Sequence, residues 1–169
     1  MRSSAASDVY KRQQGHSLLS AAGYQQYETS AYAKPGYQCQ HNLNYWRFGD
    51  YLGIGCGAHG KVTFPDGRIL RTAKTRHPRG YMEGRYLERQ HDVEDADKPF
   101  EFFMNRFRLL EAAPRDEFSR YTGLNERTIR LQIDAAIAEG YLTEDERCWQ
   151  ITEHGKLFLN SLLELFLSE

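Results

Sequence analysis

Pro99-Phe100-Glu101-Phe102-Phe103-Met104-Asn105-Arg106-Phe107-Arg108-Leu109-Leu110-Glu111 decides how the second half of the chain folds. Phe100, Phe103, Phe107 and Leu110 recur at spacings of three and four. That period sets side chains on one face of a helix. Further along, Pro114 can open a second helix through Tyr121, because its missing N–H is no loss in a first turn. Gly123 is placed to close that helix. Asn125 reads as the cap of a third helix, with Thr128 where a capping box would carry Glu. Ile129, Ile133 and Ile137 line one side of it, and Gly140 ends it. Tyr141–Thr143 and Trp149–Thr152 flank an acidic turn and predict a hairpin. A last helix is predicted from Glu153 to Phe166, with Leu157, Leu162 and Leu165 apolar. Helix, helix, helix, hairpin, helix is the layout of a winged-helix-like domain, assigned to 98–169 with Lys98-Pro99 at its boundary.

Upstream, Ser17–Ala22 reads as the end of a helix capped by Gly23, and Tyr24–Tyr32 as an aromatic strand. A helix, a glycine and a strand in succession suggest the last part of a βα unit. Lys34-Pro35-Gly36 is a turn. His41–Phe48 predicts a short helical or irregular stretch, and Asp50–Ala58 a buried strand. Phe64-Pro65-Asp66-Gly67-Arg68 predicts a hairpin turn between Lys61–Thr63 and Ile69–Thr72. A helix is predicted around Met82–Gln90. Residues 1–13 fit nothing that follows them. Asp8–Gln13 reads like the translation of a transposon-type sequencing adapter, or else as a disordered tail, so 1–13 is set apart and 14–97 is taken as one unit.

Composition bounds the partners. The 169 residues are 40% hydrophobic, enough for a core. Formal charge is −1, but residues 1–96 carry 13 Lys/Arg against 9 Asp/Glu, and residues 97–169 carry 9 against 14. A net-negative winged-helix-like unit is a poor DNA binder, since such binding leans on phosphate neutralisation. It therefore reads as a packing or docking domain, with no nucleic-acid partner expected even though Arg127 and Arg130 fall on the third helix. Cys39, Cys56 and Cys148 are odd in number and widely spaced. They suit neither a disulfide framework nor a zinc site, so no metal site is assigned and a reducing, cytoplasmic setting is expected. No apolar run approaches the roughly 20 residues that span a bilayer.

Two constellations carry chemistry. His41-Asn42-Leu43-Asn44-Tyr45-Trp46 sets an imidazole, two amides and two large rings within six residues. A neutral imidazole can coordinate haem iron axially. Tyr and Trp can stack on a flat ring and still hydrogen-bond at their edges. The alternative is that Tyr45 and Trp46 are core aromatics and His41 a satisfied polar residue. Gly53-Ile54-Gly55-Cys56-Gly57-Ala58-His59-Gly60 is not a nucleotide fingerprint. It reads either as a strand that lets a ligand approach its backbone or as a kinked barrel strand. A basic run, Arg71, Lys74, Arg76, His77 and Arg79, could meet carboxylates such as tetrapyrrole propionates or form a solvated loop. Cys39 and His41 are close in sequence, but nothing sets them up as a catalytic dyad, and no catalytic residue is assigned.

From about Gln14 onward the chain resembles haem chaperones of the HemW type, a branch of the radical SAM family that includes oxygen-independent coproporphyrinogen III oxidase. The resemblance rests on Gly23-Tyr24-x-x-Tyr27-Glu28-x-Ser30-x-Tyr32-Ala33, His41-Asn42-x-x-Tyr45-Trp46, Gly53-Ile54-Gly55-x-Gly57-Ala58-His59-Gly60 and Trp149-Gln150-Ile151-Thr152-x-x-Gly155-x-x-Phe158. The His-Asn-x-x-Tyr-Trp element favours the chaperones over the true oxidases. The resemblance implies a fold of α/β plus α+β class. Residues 14–97 would be the C-terminal part of a partial TIM-like barrel, followed by the winged-helix-like domain. It implies haem binding through His41, Asn42, Tyr45 and Trp46, and delivery to haem-accepting proteins such as respiratory enzymes, with any membrane contact made through those partners. It also implies a parent holding a [4Fe–4S] cluster and S-adenosyl-L-methionine, with Gly53, Gly55 and Gly57 on the S-adenosylmethionine side. The family's cluster motif, C-x-x-x-C-x-x-C, cannot be formed by Cys39, Cys56 and Cys148, so radical chemistry by this chain alone is not expected. The rival is a fragment of an oxygen-independent coproporphyrinogen III oxidase of porphyrin biosynthesis.

Overall fold

A computed structural model describes residues 5–167; the remainder of the 1–13 segment, Met1–Ser4, lies outside it. Helix α1 spans Ala5–Ala21, so the helix predicted at Ser17–Ala22 starts far earlier and runs through residues 5–13. Gly23, at φ 82°, ends it and donates to the Ser20 carbonyl at 3.0 Å. The single strand expected over Tyr24–Tyr32 is instead a hairpin of β1 (Gln25–Glu28) and β2 (Ala31–Ala33). The buried Glu28 carboxylate reverses the chain: one of its oxygens accepts from the Ser30 N–H at 3.0 Å and the Ser30 hydroxyl at 2.8 Å. Helix α2 covers Gln40–Trp46.

Next come β3 (His59–Thr63), β4 (Ile69–Lys74), α3 (Pro78–Met82) and β5 (Leu87–Asp92), with sheet order β3-β4-β5. The Phe64–Arg68 turn forms as predicted, with Phe64 N–H donating to the Arg68 carbonyl at 2.8 Å. The helix expected around Met82–Gln90 is corrected. Gly84 at φ 91° breaks the chain there, and Leu87–Asp92 pairs antiparallel with β4. Every strand pairing among the described residues is antiparallel. The βα unit and barrel strands expected in 14–97 are therefore not what these residues form. Parallel neighbours need crossovers of a dozen or more residues. Here β1 and β2 are joined by two residues, and β3 and β4 by five.

The C-terminal elements are α4 (Lys98–Arg106), β6 (Ala113–Pro114), α5 (Arg115–Thr122), a 3₁₀ turn (Glu126–Ile129) leading into α6 (Arg130–Ala138), β7 (Leu142–Glu144), β8 (Cys148–Ile151), α7 (Glu153–Leu157) and α8 (Leu159–Glu164). Asn125 Oδ1 accepts from Arg127 N–H at 2.9 Å, the expected cap. β6, β8 and β7 form a small sheet in that order. The last helix is not continuous: Phe158 breaks it, and Leu157 is exposed while Leu162, Leu163 and Phe166 are buried.

On α4 the apolar face includes Phe102, which the spacing missed. Phe102 and Phe103 are both fully buried and point different ways. Phe103 packs on Phe107, Phe118, Trp149 and Phe166, with ring centroids 4.3–5.8 Å away. Phe102 meets Phe48 from the first half at 5.4 Å. Phe48, Ile69 and Val93 thus share one core with the C-terminal elements across the Lys98 boundary.

A second tie is made of backbone. Gly67, in the β3–β4 turn, and Gly123, after α5, both sit at positive φ, 83° and 73°. A Cβ on Gly67 would lie 2.7 Å from Gly123 Cα. Gly67→Ala and Gly123→Ala should each destabilise by about 2 kcal/mol, from left-handed strain plus overpacking. The double variant should cost less than the two effects added, because both strain the same contact and either one alone already forces the backbones apart. Urea unfolding checks this, and a loss below about 0.5 kcal/mol at either position would show that the two backbones do not meet there.

Candidate functional site

Helix α2 is only 7 residues long, so its orientation is set by what holds it. At its exit Phe48 adopts φ 61°, rare for a non-glycine residue. Lys61, 1% exposed, reaches under it. The ammonium donates to the Phe48 carbonyl at 2.9 Å, to Asp50 Oδ1 at 3.0 Å and to Thr63 Oγ1 at 2.8 Å, and lies 4.0 Å from the Phe48 ring centroid. Asn44 donates to the Asp50 carbonyl at 2.9 Å, and Arg47 forks onto Glu111 at 2.9 and 2.8 Å.

Positions i and i+4 share a helix face. His41 and Tyr45 therefore meet, with ring centroids 4.6 Å apart and edge-on, and the His41 side is exposed. Tyr45 passes the contact to Tyr51 at 4.4 Å, and the Tyr51 hydroxyl accepts from Arg71 Nη1 at 2.9 Å. Asn42 and Trp46 belong to the neighbouring face, about 100° around the helix. The Arg108 guanidinium lies 4.3 Å over the Trp46 ring and donates to Glu28 Oε2 at 3.2 Å. The Trp46 indole N–H is buried with no partner. The four residues thus form two adjoining surfaces, not one wall.

The strand expected at Asp50–Ala58 is also corrected. Tyr51 pairs with Lys61, and the chain then becomes a loop with Gly55 at φ 98° and Gly57 at φ 71°, conformations foreign to a strand. Leu52 and Ile54 are 79% and 86% exposed. A Cβ at Gly55 or Gly57 would meet nothing, so these glycines serve the turn. Gly55 N–H donates to the Tyr81 hydroxyl at 3.0 Å, fastening the loop to α3.

Sequence reading missed Tyr51, Lys61, Glu101 and Arg108 as parts of the site. Only long-range pairing brings them in, and no local signal marks them. Arg71, read within a basic loop, sits half-buried on β4 and is paired with Glu101. Arg130 on α6 is bound by Asp134 and Glu144, and Arg115 on α5 by Glu126, which spends their charge internally. Among the described residues no group of three or more His, Cys, Asp or Glu side chains could hold a metal ion. Cys39 and Cys56 are exposed and free, and Cys148 is half-buried and free. No helix among these residues is long and apolar enough to cross a membrane.

Residues 93–158 match the family described as the HemN C-terminal domain. Heme chaperone HemW of Escherichia coli (strain K12) is 83% identical over 162 residues, which is 96% of this chain and 42% of that protein. Its counterpart in Haemophilus influenzae is 67% identical over the same coverage. Over almost all of its length the chain is thus similar to proteins named heme chaperone HemW. It spans about two fifths of the length of the curated relatives it matches. A solved structure of coproporphyrinogen III oxidase (HemN) from Escherichia coli, described as a radical SAM enzyme, superposes on 96% of this chain and 41% of its own, with TM-score 0.68 at 16% identity. Chains so different in sequence share the fold, one of mixed helix and sheet.

The Lys61 anchor sets a pH dependence. Burial pushes the Lys61 ammonium below its ordinary pKa. Burial alone would raise the Asp50 carboxyl, but hydrogen bonds from Thr63 and Lys61 outweigh it and hold the group below the ordinary 3.8. A depressed carboxyl contributes stability above its unfolded pKa and loses it as pH falls through the folded value. Asp50→Asn should therefore flatten the loss of stability below about pH 4 relative to the unmodified chain. Urea midpoints from pH 2 to 6 measure this, and parallel curves for the two proteins would remove Asp50 from the anchor.

Proposed function

We propose that this chain is the C-terminal part of a haem chaperone, which holds haem at α2 and passes it to haem-requiring proteins. One observation carries the reading: an exposed imidazole, His41, braced edge-on by Tyr45 on a helix pinned into the core. Haem here is cargo. A neutral imidazole nitrogen is a suitable axial ligand, and Tyr45 restricts the ring that would supply it. Trp46 and Asn42 contribute from the adjoining face, where the unpartnered indole N–H is a donor in wait of an acceptor. The high identity to proteins named haem chaperones across almost all of this chain supports the same reading.

Within it, 98–169 is a winged-helix-like packing or docking domain, and 14–97 flanks a partial TIM-like radical SAM barrel formed elsewhere in a longer parent. The [4Fe–4S] cluster and S-adenosyl-L-methionine belong to that parent, with the Gly53, Gly55 and Gly57 loop on the S-adenosylmethionine side. The setting is cytoplasmic, the acceptors are haem proteins such as respiratory enzymes, and any membrane contact runs through them. The fold shared with a coproporphyrinogen oxidase favours one rival, a fragment of such an enzyme. Sustained decarboxylation by a version extended to the relatives' length would favour the rival.

His41→Ala should weaken hemin binding by about tenfold or more, the scale that losing even a supporting partner costs at metal sites. It should also change the Soret band. An unchanged titration and spectrum would take His41 out of the site. Anaerobic reconstitution of this chain with iron and sulfide should yield no stoichiometric cluster, and a bound cluster absorbance would contradict the division of labour proposed.

A further inference from the structure

The β3–β4–β5 sheet carries a second cluster in which only Arg71 belongs to the basic run, and in which His59, Arg89 and His91 have no role assigned above. Residues paired directly across strands share a face. The register sets Lys61 opposite Arg71 and Arg71 opposite His91, with Tyr51 paired to Lys61 at the near edge. The next row sets His59 opposite Ala73 and Ala73 opposite Arg89. Tyr51, His59, Arg71, Arg89, His91 and Glu101 therefore surround a cavity of about 260 Å³, in which small Ala73 lies between His59 and Arg89.

The charges in this cavity do not cancel. Asp50 pairs with Lys61, and Glu101 pairs with Arg71. Arg89 has no ion-pair partner among the described residues, and His59 and His91 have no hydrogen-bond partner there. That leaves the Arg89 guanidinium uncompensated beside two imidazoles, an arrangement that an anion would satisfy. Arg89 offers a planar fork that matches a carboxylate, and each imidazole can donate an N–H. The Tyr51 hydroxyl, which accepts from Arg71, keeps its own proton to donate. The volume falls below that of a drug-sized site, so the cavity suits one ligand group and not a macrocycle.

The surface beside it is the one read above as the seat of a macrocycle. The Tyr51 ring that borders the cavity packs on Tyr45, which packs on His41. We infer that this cavity is a carboxylate subsite, taking an acidic side arm of a tetrapyrrole whose ring lies against His41 and Tyr45. The inference rests on the haem reading above and adds the residues that would fix the ring's orientation: Arg89 and His91, with His59 beside them.

The test is a titration of the 169-residue chain with hemin and with hemin dimethyl ester, whose side arms carry no charge. The unmodified chain should prefer hemin. Arg89→Gln with His91→Gln, both on exposed strand β5, should lower hemin affinity about tenfold, the scale of one charge-assisted hydrogen bond. The same pair should leave diester affinity and the Soret position unchanged. Arg89→Lys, which keeps the charge and loses the fork, should fall between the two. Equal binding of hemin and diester by the unmodified chain, or no effect of the double variant on hemin, would overturn the subsite while His41 kept its role. If the unmodified chain bound neither compound, the haem reading would fall and the subsite with it. Parallel losses for hemin and diester would mark the double variant as structural and also overturn the inference.

Discussion

One buried ammonium fixes the turn from which the first half of this chain reaches into the core of the second. Lys61 is surrounded by protein, and a charge so placed is costly unless it is paired and hydrogen-bonded. Here the Phe48 carbonyl, Asp50 and Thr63 all accept from it, and the Phe48 ring faces it. Those contacts fix the left-handed turn at Phe48, which sends its ring into Phe102 and Tyr121. The same lysine belongs to β3, and so to the sheet that bears Arg71 and His91. The exit of α2, the start of the sheet and the Phe48 part of the join to the aromatic core meet at this one side chain, beside the Gly67–Gly123 contact and the Arg47–Glu111 and Arg71–Glu101 pairs.

What could be read from sequence follows the range of the interactions that decide it. From residue 98 onward, caps and periodicity act within a few residues, and they are where the chain announces them: Asn125, Gly123, Gly140 and the row Ile129, Ile133. The failures fall where distant partners decide. Leu87–Asp92 has a polar, helix-compatible composition, yet β4 and the break at Gly84 make it a strand. Leu52 and Ile54 have the hydrophobicity of a buried strand, but the positive φ of Gly55 and Gly57 turns that segment into an exposed loop. In the site, the His41–Tyr45 contact was legible as an i, i+4 pair. The seat of Trp46 was not, because Arg108 and Glu28 lie far away in sequence.

Charge is arranged differently in the two halves. In the C-terminal half several arginines are consumed at home, Arg106 by Glu117, Arg115 by Glu126, and Arg130 by Asp134 and Glu144, while Arg127 and Arg147 have no ion pair among the described residues. Arg106 and Arg108 are drawn further inward, each against backbone or a buried carboxylate. Such arginines are poor bait for an anion, because a ligand would first have to displace a partner already bonded. The β3–β4–β5 face is built differently, with acidic partners for Lys61 and Arg71 but not for Arg89.

The brevity of α2 makes its direction depend on its surroundings. A seven-residue helix has almost no stability of its own, so His41 and Tyr45 point where they do because the surrounding fold dictates it. Asn44, Arg47 and Phe48 all turn toward fixed partners: the Asp50 carbonyl, Glu111 and Lys61. These contacts fix the helix at its exit end and leave His41 exposed. A ligand meeting that face encounters an imidazole and a phenol ring already arranged, and pays little to order them. Preorganisation of this kind comes from Lys61 and Glu111, residues that the ligand never needs to touch.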